Sequence, residues 1–392
     1  MVGSNSHTEA DRSAGDPCPP YKLIHGNTKE ISRMMKEAMA RPKTISHDTL
    51  PLWHGSQAQL VITEPELCKE ILNNKDGAYP KKEVQNFVKK LLGDGLVSTT
   101  EAEKWAKLRK LATLAFHGES LSFFHRKEID VLQEFRLLSS EVTSRIAFGS
   151  SYIEGKNIFE MLTKLGFIIY KIFLTIRVPV IIEFFKTSNE IEPEKLEKGI
   201  QDSIIEIIKK REEKAMTGGE DRFGSDYLGL LEEAQHDGND NQRILADEVV
   251  DDCKTFYMSG QETTTALLSW TVLLLAVHTD WQEEARKEMS MIINESLRLY
   301  PPPGQDVHLF KPERFSEGVA KATNNNIGAL IPFGLGPRTC VGMNFGITEA
   351  KIALSMILQC YSFTLSPGYV HFPLHYLTVR PQHGVQVMLH SL

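Results

Sequence analysis

The chain has 392 residues, with 44 Lys and Arg against 51 Asp and Glu, a formal net charge of −7, 41% hydrophobic residues and 24% charged ones. This composition excludes a wholly disordered or collagenous chain, and a folded chain of such length buries about 75% of its unfolded surface, so a large core is available. No basic excess or sustained Lys/Arg stripe is present to neutralise phosphates, which argues against a nucleic-acid partner.

Residues 1–26 are polar and rich in Gly, Pro and Ser, without an apolar signal segment, and read as a flexible tail. No linker divides residues 27–392, which read as a single domain. Helical periodicity predicts helices over Thr28–Ala40, Glu64–Asn74, Glu101–Phe116, Asp130–Ile146 and Asn157–Lys171. A strand is predicted at Ala58–Ile62. Leu165–Phe185 is very apolar, but Lys171, Arg177 and Glu183 interrupt it and Pro179 breaks it. It falls short of the roughly 20 uninterrupted apolar residues of a membrane span.

Leu196, Ile200, Ile204 and Ile207 share one face of a further helix, entered through Pro193-Glu194. Polar, glycine-bearing loops follow at 217–225 and 235–242, and Ala266–Val277 reads as a buried helix. Two more strands are predicted, at Ser362–Leu365 and Val385–Leu389. The fold class is therefore mainly α with a small β element. The five cysteines, at 18, 68, 253, 340 and 360, are scattered and form no C-x-x-C pair, as in a reduced, cytosol-facing protein.

The most demanding pattern is Phe333-x-x-Gly336-x-Arg338-x-Cys340-x-Gly342. Gly334, Gly336 and Pro337 make a rigid loop that can approach a flat ligand closely. A helical pattern begins at Gly342, so Cys340 stands ahead of a helix N-terminus, which favours a thiolate by about 0.3–1 kcal/mol. A thiolate in a glycine-lined loop is what axial ligation of haem iron requires. A lone cysteine after a turn is more often simply buried. A dinucleotide reading of the glycines fails, because Thr339 stands where the third glycine belongs.

At these residues the sequence resembles the cytochrome P450 superfamily of haem-thiolate monooxygenases, from about Tyr21 to Leu392. It is most similar to plant members of the seventy-two clan, through stretches such as FGLGPRTCVGMNFGITEAKIAL and SGQETT. The resemblance implies a cytochrome P450-like helical domain with a reduced small sheet, and heme b (iron protoporphyrin IX) with Cys340 as the axial ligand of its iron. Phe333, Gly334, Gly336 and Gly342 would line the cofactor.

Three further motifs follow the family's order. Ser259-Gly-Gln-Glu262-Thr263-Thr264 lies in a long helix that, by resemblance, crosses the distal face of the haem. Reductive O–O cleavage consumes protons, which a carboxyl and a hydroxyl can deliver through water, so Glu262 and Thr263 are the candidate catalytic pair. The competing explanation is a polar patch whose threonines bond back to helix carbonyls. Glu295 and Arg298 share a helix face, and Arg314 of the following Pro-Glu-Arg-Phe can join them; the resemblance makes these three a structural network. Elsewhere such a pair is commonly a surface contact worth about 0–1 kcal/mol. Trp105 and Arg109 share another helix face, which the family uses against a haem propionate, and Arg338 is the second propionate candidate. His371 and His375 are separated by Pro373 and do not make a helical metal pair.

The chain also departs from the family. Only eight residues, 304–311, separate Pro303 from Pro312, where relatives place several strands. The 31 residues between Thr263 and Glu295 are fewer than in eukaryotic relatives, the segment at His125–Asp130 follows its helix abruptly, and the apolar N-terminal anchor is absent. The expected function is insertion of one oxygen atom from O2 into a small hydrophobic substrate. Leu165–Phe185 would help to form an access lid. Electrons would come from NADPH through a separate NADPH-cytochrome P450 reductase, at the cytosolic face of the endoplasmic reticulum membrane with peripheral contact, or in solution. An alternative is a catalytically impaired or inactive truncated remnant, or an incomplete gene model, with weak or no haem binding. Lost strands leave unpaired groups that cost about 1–3 kcal/mol each when buried, against a net stability of about 5–15 kcal/mol. A third reading is a helical binding protein without a cofactor.

Overall fold

Apolar residues recur with helical period through most of the chain, and helices form wherever that period is sustained. The computed structural model describes residues 50–54, 57–62, 64–74, 78–79, 81, 84, 86–115, 128–149, 152–174, 188–216, 226–236, 244–300, 310–375 and 378–392. The tail 1–26, the predicted helix Thr28–Ala40, the loop 217–225, most of the loop 235–242, the latter half of Leu165–Phe185 and the junction before Pro312 up to residue 309 lie outside the described residues.

In order, the elements are β1 (Leu50–His54), β2 (Gln57–Val61), α1 (Pro65–Asn73), α2 (Asn86–Leu92), α3 (Ala102–Ala115), β3 (Glu128–Asp130), α4 (Val131–Phe148), α5 (Tyr152–Leu174), α6 (Ser188–Met216) and α7 (Tyr227–Gln235). Then come α8 (Ala246–Val277), α9 (Trp281–Lys287), α10 (Met289–Leu299), a 3-10 turn at Pro312–Phe315, α11 (Gly318–Ala322), 3-10 turns at Ile327–Ala329 and Gly336–Arg338, α12 (Met343–Cys360), β4 (Tyr361–Leu365), β5 (Pro373–His375), β6 (Val379–Pro381) and β7 (Gln386–Ser391). The mainly helical class expected from the sequence is the one observed.

The strands form three small antiparallel sheets. β1 and β2 make a hairpin from Leu50↔Val61 to His54↔Gln57. β7 lies between β3 and β4, with Glu128↔Met388 on one side and Tyr361↔Ser391 on the other. β5 pairs with β6 from Pro373↔Pro381 to His375↔Val379. Pro373 and Pro381 fall at strand ends, where a missing donor costs least. β3, β5 and β6 have three residues each, too few to display the alternation by which a strand is read from sequence.

One boundary differs from the expectation. α6 starts at Ser188, so Pro193 lies inside it and is not its first residue. The first helical N–H groups have no intrahelical partner in any case, and a proline just beyond them forfeits a single bond.

α8 runs through the middle of the molecule and belongs to two cores. Its first half, Val249 to Met258, packs with Leu91, Leu108, Phe148, Leu162, Ile200 and Tyr227. Its second half, Ala266 to Ala276, packs with Phe135, Ile292, Leu354, Phe363 and Val387. Each such side chain contributes about 1.5–3 kcal/mol on full burial. Trp270 is 1% exposed, stacks on Tyr300 at 3.9 Å and donates its indole N–H to the Val379 carbonyl at 2.7 Å, tying β6 to the helix.

The first half of α8 also holds the loop between α2 and α3. Asp252 is fully buried; its carboxylate accepts from the Leu96 N–H at 2.6 Å and from the Tyr227 hydroxyl. Asp251 accepts from the Asp94 N–H at 2.9 Å, and Thr255 donates to the Leu92 carbonyl at 2.6 Å. A Cβ at Gly95 would meet the Asp252 carboxylate at 2.5 Å, so this approach requires glycine. The loop in turn fixes where α3 starts.

A second buried acid carries a measurable consequence. Glu232 is 0% exposed, and the guanidinium 3.5 Å away, Arg211, is already engaged by Asp226 at 2.9 Å. Desolvation pushes the Glu232 carboxyl up to about 7, with Arg211 opposing the shift. A raised acid makes the folded state hold more protons, so stability falls as pH rises from the ordinary 4.5 through 7. Thermal melts should show Glu232→Gln raising the melting temperature at pH 8 and leaving it nearly unchanged near pH 4; a uniform fall at both would contradict this origin.

Candidate active site

The cysteine loop is closed by its own backbone. Gly334 N–H donates to Ile331 at 3.0 Å, Thr339 N–H to Gly336 at 3.1 Å, and Cys340 N–H back to Phe333 at 2.8 Å. The Thr339 hydroxyl adds a bond to the Gly336 carbonyl at 2.8 Å. Gly334 and Gly336 have φ of 73° and 74°, the left-handed region. Gly336 is constrained twice, because a Cβ there would stand 2.3 Å from the Leu72 carbonyl of α1. Gly342 immediately precedes α12, and a Cβ added to it would meet nothing within 4 Å, so that side of the loop is open.

Cys340 is exposed at the surface of this loop. Desolvation raises its thiol above the usual value; the Gly342 N–H and the Arg109 charge act in the opposite direction. Without a further positive charge the protein keeps this sulfur protonated at neutral pH, and a coordinating metal displaces such a proton outright.

α8 passes the site with one accessible turn. Between buried neighbours, Ser259 and Gly260 are half-buried and Thr263 is exposed. The first turn of α12 meets the helix at this level: a Cβ at Gly346 would lie 3.7 Å from the Thr264 hydroxyl. Thr263 donates its hydroxyl proton to the Ser259 carbonyl at 2.6 Å. Glu262 points elsewhere. It is 5% exposed, and both of its oxygens lie 3.4 Å from Nη1 of Arg380 in β6. The structure therefore places the two candidate catalytic residues on adjacent faces of α8, Thr263 exposed and Glu262 buried.

The three residues read as anion-binding do meet. The Arg338 guanidinium lies 4.8 Å above the Trp105 ring and donates to the Thr99 carbonyl at 3.3 Å. Arg109 donates to the Thr339 carbonyl, next to the cysteine. Lys81 approaches the same corner, and its ammonium is held below its ordinary value by desolvation and then by Arg338. Crowded cations of this kind favour an incoming carboxylate. An accessible thiol, a glycine-lined open face, one uncovered helix turn and a cationic rim fit a flat, doubly carboxylated iron macrocycle. A bound haem would be held by Cys340, with Trp105, Arg109 and Arg338 at its acidic edge.

The Glu-x-x-Arg pair is buried. Glu295 is 0% exposed and takes two bonds of 2.7 Å from Arg298, one from Arg314 at 3.1 Å and one from the Lys311 N–H at 2.9 Å. Removing one partner of such a group typically costs about 3–5 kcal/mol. His371 accompanies the Tyr369 hydroxyl at 2.8 Å and the edge of Trp270. Among the described residues no group of His, Cys, Asp and Glu is arranged to hold a metal ion.

Two residues near the site escaped the sequence reading. Arg380 precedes a proline in a three-residue strand and belongs to no pattern. Glu349 of α12 is buried, and desolvation pushes it up to about 7 while the Ser139 and Thr264 hydroxyls beside it oppose the shift. An acid on the apolar face of GITEAKIAL was the one available signal for it.

A family model described as Cytochrome P450 matches residues 17–127, 124–308 and 299–387. The chain is 46% identical over 477 positions to Cytochrome P450 CYP749A22 of Panax ginseng, covering 97% of this chain and 91% of that protein. It is 34% identical over 493 positions to 11-oxo-beta-amyrin 30-oxidase of Glycyrrhiza uralensis, covering 98% and 92%. Among solved structures, retinoic acid bound cyanobacterial CYP120A1 superposes with a TM-score of 0.73 at 20% identity, covering 96% of this chain and 100% of that one, a likeness of fold.

An alignment of 477 positions against 392 residues leaves at least 85 positions (477 less 392) without a residue of this chain. The family match changes segment at 124–127 and at 299–308, two of the places where the sequence reads as shortened. Likeness over nearly the whole chain lends no support to the inactive remnant and displaces the cofactor-free binding protein. The chain belongs to the cytochrome P450 family of haem-thiolate monooxygenases.

Proposed function

We propose that residues 27–392 form one haem domain, with residues 1–26 as its tail, that binds haem b through Cys340 and oxidises a small hydrophobic substrate with O2. Electrons come from NADPH through a separate NADPH-cytochrome P450 reductase, and the protein works at the cytosolic face of the endoplasmic reticulum membrane. The observation that carries this reading is the closed Phe333–Gly342 loop, which presents Cys340 on an open, glycine-lined face ahead of the helix that meets α8. The relative named as an 11-oxo-beta-amyrin 30-oxidase supports an organic substrate. Among the described residues no helix is long and apolar enough to cross a membrane, so attachment there would be peripheral or made elsewhere in the chain.

The haem supplies the iron at which O2 is reduced, and thiolate donation favours O–O cleavage. The chain's own residues do the rest. Arg109, Arg338 and Trp105 orient the cofactor by its acidic edge, and the thiol of Cys340 gives up its proton to become the ligand. Thr263 hands a proton forward at its hydroxyl oxygen. That hydroxyl keeps lone pairs free to accept from water while its hydrogen is on Ser259. To donate forward it leaves the Ser259 carbonyl, a bond worth about 0.5–1.5 kcal/mol net. Glu262 supplies the carboxylate end of the same relay.

Reduced, haem-replete protein exposed to carbon monoxide should show the red-shifted Soret band of a thiolate haem, and Cys340→Ala should lose it. A haem-replete wild-type chain without that band would overturn the assignment. Thr263→Ala should keep the band and lower product formation by about 10²-fold or more, with the electrons appearing instead as peroxide; unchanged coupling would remove Thr263 from the relay.

A further inference from the structure

Arg380 lies 118 residues beyond Glu262, in no motif, yet the two are joined inside the protein. Each is about 5% exposed, and one guanidinium nitrogen stands 3.4 Å from both carboxylate oxygens. We propose that Arg380 is a positioning residue for Glu262: it clamps the carboxylate on the buried flank of α8, at the height of Thr263, so that the relay begins from one fixed geometry. The inference rests on the reading of Glu262 as the proton-delivering carboxylate.

The clamp is itself built in. The Arg380 guanidinium lies 4.5 Å over the ring of Phe167 in α5, which contributes no charge. Its strand is held to α8 by the indole bond from Trp270 to the Val379 carbonyl, and by pairing with β5. Among the described residues Arg380 is the ion-pair partner of Glu262, and on α8 the neighbouring groups, Ser259 and Thr263, are uncharged. Arginine does not deprotonate in proteins, so Arg380 neither gives nor takes the transferred proton. It acts on where the carboxylate sits. For each proton Glu262 takes up from water, one passes on toward the Thr263 hydroxyl, and neither Glu262 nor Arg380 changes charge over a cycle.

The test is a mutant cycle in the haem-loaded protein: Glu262→Gln, Arg380→Gln, the double variant and Arg380→Lys. The carbon monoxide spectrum is recorded first on each, so loss of the thiolate band in wild type refutes the haem reading, and this inference with it, before any relay is measured. With the band intact, Arg380→Gln should raise peroxide released per electron pair severalfold, as Glu262→Gln does, and the double variant should leak no more than Glu262→Gln alone. A structural defect would add its own leak on top. Melting temperatures of wild type and these four variants without haem give a readout independent of turnover: the double variant should lose less than the two single shifts combined. Arg380→Lys keeps the charge but loses the flat guanidinium seated over Phe167, and should recover most of the melting temperature while still leaking. If Arg380→Gln does not fold, Arg380→Lys and its combination with Glu262→Gln carry the cycle. Wild-type coupling in the Arg380 variants, or leaks that add in the double variant, would overturn the proposal.

Discussion

A helix buried on nearly every side has to find partners for its polar side chains among its neighbours, and each partner it finds is thereby fixed to it. α8 meets this constraint at four levels. Asp251, Asp252 and Thr255 hold the loop that starts α3, which carries Trp105 and Arg109. Glu262 holds Arg380, Thr264 meets the first turn of α12, and Trp270 holds β6. The cationic rim, the cysteine helix and the small β5–β6 sheet are thus all referred to one rod. A fully buried, unpaired polar group costs about 1–3 kcal/mol, a large part of a domain's net stability of about 5–15 kcal/mol. These contacts decide geometry because leaving them unmade is expensive.

The electrostatic contacts divide by depth. Exposed i,i+4 pairs such as Lys210–Glu206, with both side chains about two-thirds exposed, are screened by water and contribute little. Glu295 sits at the other extreme, four bonds around a carboxylate with no exposure. It fastens α10 to the turn at Pro312–Phe315. Losing one partner would leave a buried charge uncompensated, so this junction is costly to break.

Most of the helices were legible because their apolar period persists for three or more turns, and the core segment Ala266–Val277 proved to be the second half of α8. The cysteine loop was legible because its glycines, arginine and cysteine are contiguous. Glu295, Arg298 and Arg314 were legible for the same reason, although their depth was not: a Glu and an Arg three apart look alike on a surface and in a core. Strands of three residues left no trace, since pairing partners such as Glu128 and Met388 lie 260 residues apart. Arg380 and Glu349 were missed on the same ground. What makes them distinctive is the residue they face, and that is set by packing between distant segments.

The sheet of β3, β7 and β4 joins an early segment to a late one, and α4 depends on that junction. Asp130 caps the start of α4 through the Leu132 N–H at 3.1 Å and also accepts from the Val385 N–H at 2.9 Å, while Val131 N–H donates to the Val385 carbonyl at 3.0 Å. Gly384, at φ of 75°, leaves room for the Asp130 carboxylate, which a Cβ would strike at 2.3 Å. During synthesis the ribosome makes α4 some 250 residues before the backbone that completes its N-terminal contacts. For that interval β3 and the first turn of α4 wait without their late partners, so chaperones and translation speed bear on the yield of this protein more than on one whose contacts are local.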